Sequence, residues 1–252
     1  RGITVTGVTN STSSYYAVDF NATSLAVTGT GSNISVTATR SIPGGGVGIN
    51  TSGTVSGASG SNISFISNNR INQTGAITLA ANTSSTASNV TYDTTTGTKD
   101  SSIISGALSV GSGSTSGINF IEKTAGAAIT TAAINVPGYI LLDNTWGAAS
   151  GAPASGYITA ANAATLATAS NGITLGGALT SGSYAAGTGV TLKGVSTTGV
   201  AVNQQANAIT SNAGGITIQG AGTTATTVIS GSGTFTNTLG DISITANNTA
   251  GG

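Results

Sequence analysis

The chain has 252 residues, only 5% of them charged, and its six Lys and Arg balance six Asp and Glu. Such a composition offers no basic face to neutralise phosphates, so no nucleic-acid partner is expected. His, Cys and Met are all absent, which removes the commonest general base, the commonest metal ligand, any disulfide and any thiolate chemistry.

Without Met, Arg1 is no translation start, and the chain reads as a mature or excised piece. Thirty-nine Gly among many Ser, Thr and Asn raise low-complexity coil as an alternative. Disordered chains combine low hydropathy with high net charge, whereas here the mean hydropathy is positive and the net charge zero. No apolar run approaches the roughly 18–20 residues that span a bilayer, so no transmembrane segment is expected. The longest apolar cluster is Tyr139-Ile140-Leu141-Leu142.

One phrase recurs along the chain: a small or turn residue, then apolar, Ser or Thr, apolar. It opens as Gly2-Ile3-Thr4-Val5 and returns as Asn33-Ile34-Ser35-Val36, Asn62-Ile63-Ser64-Phe65 and Ala76-Ile77-Thr78-Leu79. A looser copy is Gly117-Ile118-Asn119-Phe120. Then follow Gly172-Ile173-Thr174-Leu175, Gly189-Val190-Thr191-Leu192, Gly215-Ile216-Thr217-Ile218 and Asp241-Ile242-Ser243-Ile244. Alternation with period two predicts a short strand with one buried face at each.

Val190, Ile216 and Ile242 recur at one interval of about 26 residues, the size of a solenoid repeat. Ile209 and Phe235 share one offset within that interval. Three short strands per fixed period predict one coil of an all-β, right-handed parallel β-helix. The first half is less regular, with Ile34 and Ile63 set farther apart. Coils of this size imply roughly ten coils and a rod of about 45–50 Å at the usual strand spacing. The narrow interior suits Ile, Val, Leu, Ala and Thr rather than large aromatics. Stacked Asn, Ser and Thr are expected to form hydrogen-bonded ladders along the axis. The one helical candidate is the Ala-rich stretch Thr159 to Ala169, which reads equally well as another coil.

These Gly/Asn-Ile-Thr/Ser-Leu/Val phrases, in a Cys-free chain rich in Gly, Thr and Asn, resemble the filamentous-haemagglutinin class of exported adhesins. Autotransporter passengers and giant bacterial surface and sheath proteins are similar in style. The resemblance rests on composition and repeat style over most of the chain. It implies export to the cell surface, a long right-handed β-helix, and adhesion or envelope structure. It also makes the sequons at Asn10, Asn21, Asn33, Asn62, Asn72 and Asn89 candidates for glycosylation, although a chain this rich in Asn, Ser and Thr makes sequons by chance.

No catalytic, cofactor-binding or metal-binding residues are expected. The acids are Asp19, Asp93, Asp100, Glu122, Asp143 and Asp241, and only Asp93 and Asp100 are close in sequence, flanking a Thr/Gly turn with Lys99. Hydrolysis by paired carboxylates needs two acids held across the scissile bond, and that turn reads as solvated. Gly29-Thr30-Gly31 and Gly220-Ala221-Gly222 lack the third glycine of a dinucleotide fingerprint. A surface insertion is expected at residues 137–170, which hold the single Trp and two of three prolines. Tyr139, Trp146 and Tyr157 in it are candidates for stacking on a sugar or docking a neighbouring chain.

Neither end carries a capping element by sequence, so the rod is expected to stack end to end, by association or as tandem copies. Tandem copies would place the next Ile3 half a coil after Ile242, a gap like the strand-to-strand offsets inside a coil. The expected function is a structural or adhesive module of a secreted surface fibre that self-associates and meets surface glycans, not an enzyme. The alternatives are an ice- or carbohydrate-binding solenoid, a β-helical polysaccharide-active enzyme, or a phage tail fibre. Ice binding would need Thr-x-Thr rows in register, such as Thr4-Val5-Thr6, over several coils.

Overall fold

A computed structural model describes residues 2–10, 16–41, 46–97, 101–145, 171–182, 189–222 and 227–248. These residues wind into a parallel β-solenoid with three sheets. Sheet A stacks β1 (Gly2–Thr9), β4 (Asn33–Arg40), β7 (Ile63–Ser67), β10 (Ser88–Asp93), β13 (Ile118–Lys123), β16 (Ile140–Asp143), β19 (Val190–Ser196), β22 (Ile216–Gly222) and β25 (Ile242–Asn248). Sheet B stacks β2 (Val18–Asp19), β5 (Val47–Thr51), β8 (Arg70–Gln73), β11 (Ile103–Ser105), β14 (Ile129–Thr131), β17 (Ile173–Leu175), β20 (Val202–Gln205) and β23 (Ile229–Gly231). Sheet C stacks β3 (Leu25–Ala26), β6 (Val55–Gly57), β9 (Ile77–Leu79), β12 (Leu108–Val110), β15 (Ile134–Val136), β18 (Leu179–Ser181), β21 (Ile209–Ser211) and β24 (Phe235–Asn237).

Each sheet carries one continuous inward column of large apolar residues. In sheet A it is Ile3, Ile34, Ile63, Val90, Phe120, Ile140, Val190, Ile216 and Ile242. In sheet B it is Val18, Ile49, Ile71, Ile103, Ile129, Ile173, Val202 and Ile229. In sheet C it is Leu25, Val55, Ile77, Leu108, Ile134, Leu179, Ile209 and Phe235. Full burial of one such side chain contributes about 1.5–3 kcal/mol, so the three columns form the core and hold the register.

The repeated phrase marks a strand but not its sheet. Ile77-Thr78-Leu79 belongs to sheet C and Ile173-Thr174-Leu175 to sheet B, whereas most other copies lie in sheet A. The looser copy is slipped by one inward position, because Phe120, not Ile118, stacks on Val90.

Sheet A fixes the true coil length. The short regular period holds only for its last two steps, Val190 to Ile216 and Ile216 to Ile242. The step from Phe120 to Ile140 is shorter, and the step from Ile140 to Val190 is nearly twice as long. Longer corners elsewhere bring the average to roughly 29 residues per turn. The expected ten coils become about seven full turns. The nine strands of sheet A make eight steps, so that sheet is about 38 Å long at about 4.8 Å per step.

The longest step contains the expected insertion. Its first residues are ordinary coil: Ile140 and Leu142 point inward from β16, which pairs in register with β13 and β19. Residues 140–143 of the expected 137–170 stretch thus belong to the coil itself. Residues 146–170, with the candidate helix at Thr159 to Ala169, lie outside the described residues.

The interior also admits aromatics, against expectation. Phe65, Tyr92 and Phe120 are fully buried in β7, β10 and β13, with ring centroids 5.0 and 5.8 Å apart along the stack. The predicted ladders are present. Asn62 Nδ2 donates to Asn33 Oδ1 at 3.3 Å and Asn119 Nδ2 to Asn89 Oδ1 at 3.0 Å on sheet A. On sheet B, Asn50 Nδ2 donates to Asp19 Oδ1 at 2.9 Å and Asn72 Nδ2 to Asn50 Oδ1 at 2.8 Å.

Candidate functional site

Four of the twelve charged residues meet in one outward column of sheet A. Asp93 stands beside Lys123, Lys123 beside Asp143, and Asp143 beside Lys193 at the ends of β10, β13, β16 and β19. Lys123 Nζ lies 2.8 Å from Asp93 Oδ2. Both acids end their strands in the same way. The backbone N–H and hydroxyl of Thr95 donate to Asp93 Oδ1, and those of Thr145 donate to Asp143 Oδ1. Such turns satisfy backbone donors where a strand stops.

The two acids nevertheless differ. Burial works to raise the Asp93 pKa, but the bonds from Lys123 and Thr95 outweigh it and hold this carboxyl below its ordinary value. Asp143 is fully buried and its Oδ2 has no hydrogen-bond partner. Burial pushes its pKa up, against the bonds from Thr145 and the field of Lys193. Asp100 and Lys99, the sequence neighbours first considered beside Asp93, lie outside the described residues.

Inside the rod is a second polar group. Glu122 occupies an inward position between Tyr92 of β10 and Leu142 of β16. Neither carboxyl oxygen has a hydrogen-bond partner, and the side chain is fully buried. Burial raises its pKa to about 8. Ser105, which can offset a little of that, turns its hydroxyl to Thr131 Oγ1 at 2.9 Å. Tyr92 OH donates to Gln73 Oε1 at 2.7 Å. Among the described residues, no three acidic side chains gather in a cluster that could hold a metal ion.

The third candidate is the outer face of sheet C. One outward column reads Ala26, Ser56, Thr78, Ser109, Asn135, Thr180, Thr210 and Thr236 by strand pairing. The residues entering the strands add Ala76, Ala107, Ala133, Ala178 and Ala208 in neighbouring coils. The rows hold Ala with Ser or Thr rather than Thr-x-Thr. They enclose a shallow groove of about 330 Å³ lined by Ala76, Ala107, Ala133, Ala178, Ser109 and Thr180. A hollow of about 300 Å³ continues it past Asn135 and Thr180 to Pro137 and Asn212. Among the described residues, no charged or aromatic side chain lines either.

Of the three residues proposed for a docking loop, only Tyr139 is described. It sits half-buried before β16 and ends the asparagine ladder, its backbone N–H donating to Asn119 Oδ1 at 3.3 Å. Burial raises its hydroxyl pKa. Trp146 and Tyr157 lie outside the described residues. The charged column and Glu122 were missed in sequence because their partners lie on different coils, at unequal steps that only the strand pairing reveals.

The last coil leaves core positions open. Ile242 and Ile244 of β25 are 45% and 49% exposed, whereas Ile216 and Ile218, one coil below, are 0% and 1% exposed. Leu239 is also exposed; at the other end Ile3 and Val5 are partly buried against the core, and the exposed Val8 stands in the outward row beside Thr39. No protein-family model matches the chain, and no match is found among curated proteins or solved structures. No described helix is long and apolar enough to cross a membrane.

Proposed function

We propose that the chain is a rod module of an exported bacterial surface fibre, structural and adhesive rather than catalytic, and that further coils cover its two ends. One observation carries this reading: the inward columns continue to the last described strands but lose their cover there, at Ile242 and Ile244. An uncovered strand edge with apolar neighbours recruits another strand. Repeating head-to-tail contacts of that kind build filaments. A rod whose side ladders are mostly neutral amides also needs few charges, which suits the composition.

Sedimentation velocity and electron microscopy over a range of concentrations test the reading. Oligomers or filaments that Ile244→Lys disperses support it. A monomer at high concentration whose β1 and β25 resist hydrogen exchange as strongly as the middle coils would overturn it.

A second reading draws on the sheet C face, whose neutral, small, in-register rows suit a flat, uncharged surface such as a neutral polysaccharide or ice. Co-sedimentation with insoluble neutral glycans, and an ice-recrystallisation assay, would separate these two. Ala133→Lys, on the exposed row, abolishes either activity if this face is responsible and leaves the fold intact.

A further inference from the structure

Glu122 is the only glutamate in the chain. Its column in sheet A is otherwise apolar or aromatic: Val36, Phe65, Tyr92, then Glu122, then Leu142, Leu192 and Ile218. Two coils of that column already hold a leucine, so a carboxyl is not needed to fill the space. A wholly buried carboxylate with no donor costs far more than the same group protonated, and it responds by keeping its proton.

No cation faces it. Below it, from β10, is Tyr92, whose hydroxyl is turned to Gln73 of β8. The polar side chains buried from sheet B in these coils, Gln73, Ser105 and Thr131, are neutral, with Ser105 of β11 bonded to Thr131 of β14. Leu142 of β16 lies above it. Asp93, Lys123, Asp143 and Lys193 stand one position on, in the outward column of the same sheet.

We propose that Glu122 is a proton-operated latch in the middle of the rod: the coils from β10 to β16 stay closed while its carboxyl is protonated and open when the proton leaves. A rise of the folded-state pKa to about 8, from an ordinary 4.5, sets the direction. Below pH 4.5 folded and unfolded chains both hold the proton, and the rod has its full stability. Between pH 4.5 and about 8 only the folded chain holds it, and stability falls steadily. Asp143, also raised, adds a smaller loss in the same direction, starting lower.

A single glutamate makes the test clean. Labelling glutamate alone with ¹³C at Cδ gives one carboxyl resonance to follow from acid to alkaline pH. The expected midpoint is near 8. Hydrogen exchange, corrected for intrinsic rates, should show opening of β10, β13 and β16 rising on the order of a thousandfold from about pH 5 to about pH 9, with the outer coils little changed. Glu122→Gln and Glu122→Leu should keep only the smaller Asp143 contribution. A resonance titrating near 4.5, or variants that keep the full pH dependence, overturns the proposal. If neither variant folds, the resonance and exchange of the unaltered chain still decide it.

Discussion

Ile103→Ala tests whether the columns hold the rod. Ile103 lies in β11, fully buried, with Ile71 on one side and Ile129 on the other in the inward column of sheet B. The substitution removes three carbons, worth about 2.4 kcal/mol at about 0.8 kcal/mol per methylene. The space cannot close by collapse, because both neighbours are held at ladder spacing by their own backbone bonds. The cavity contribution therefore adds to the transfer loss, and about 3–4 kcal/mol is expected, within the usual range for such truncations. Ile242→Ala removes the same atoms from a side chain that is already 45% exposed, and should cost about 1 kcal/mol or less in the isolated chain. Urea unfolding, extrapolated linearly, measures both. In a stack where each coil touches only its neighbours, the loss of exchange protection from Ile103→Ala should centre on β8, β11 and β14. Equal costs for the two substitutions, or protection lost evenly along the rod, would refute this account of the core.

Three further outcomes follow from the same geometry. Asn89→Ala removes the acceptor of Asn119 Nδ2 and should cost about 1 kcal/mol in urea unfolding, with the fold unchanged by circular dichroism. Gly189→Ala should cost about 1–3 kcal/mol, because a Cβ there collides with the carbonyl oxygen of Gly215 in the next coil and forces β19 and β22 apart. Lys123→Ala should cost no more than about 1 kcal/mol, less in high salt, since the pair is partly solvated. The same change should raise the Asp93 carboxyl pKa, followed by carbon NMR. The lowered value in the unaltered chain means that this pair stabilises at neutral pH and is lost as pH falls through the Asp93 titration, opposite in sign to Glu122.

Strand identity was legible because an inward side chain must be apolar at every second position, and Ile216-Thr217-Ile218 obeys that rule on its own. The regular period could be seen only where corners are equally short, from Val190 to Ile244. Elsewhere the corners absorb chain freely, since nothing in the stacking depends on how far a turn strays before the next strand returns to register. That is why Ile77 and Ile173 carried the phrase yet belong to different sheets. Asn ladders were foreseen from composition. The charged column was not, because Asp93, Lys123, Asp143 and Lys193 become neighbours only through three successive coils of unequal length.

The polar features overlap at β10 and β13. The asparagine ladder runs from Asn33 to Asn119 and stops at Tyr139. The charged column begins at Asp93 and ends at Lys193, and Glu122 lies inside the same coils. Beyond them the position held by asparagine becomes Gly189 and Gly215, where backbones approach too closely for a side chain. The first coils are thus tied by side-chain amides and the last by close backbone contact. β16 joins the two regimes, with the shortest step, from β13, on one side and the longest, to β19, on the other. Those middle coils combine a buried unpaired carboxyl, a fully buried Asp143 and an abrupt change of step length. Any mechanical or chemical response of the rod should start there, and the uniform apolar columns on either side should only transmit it.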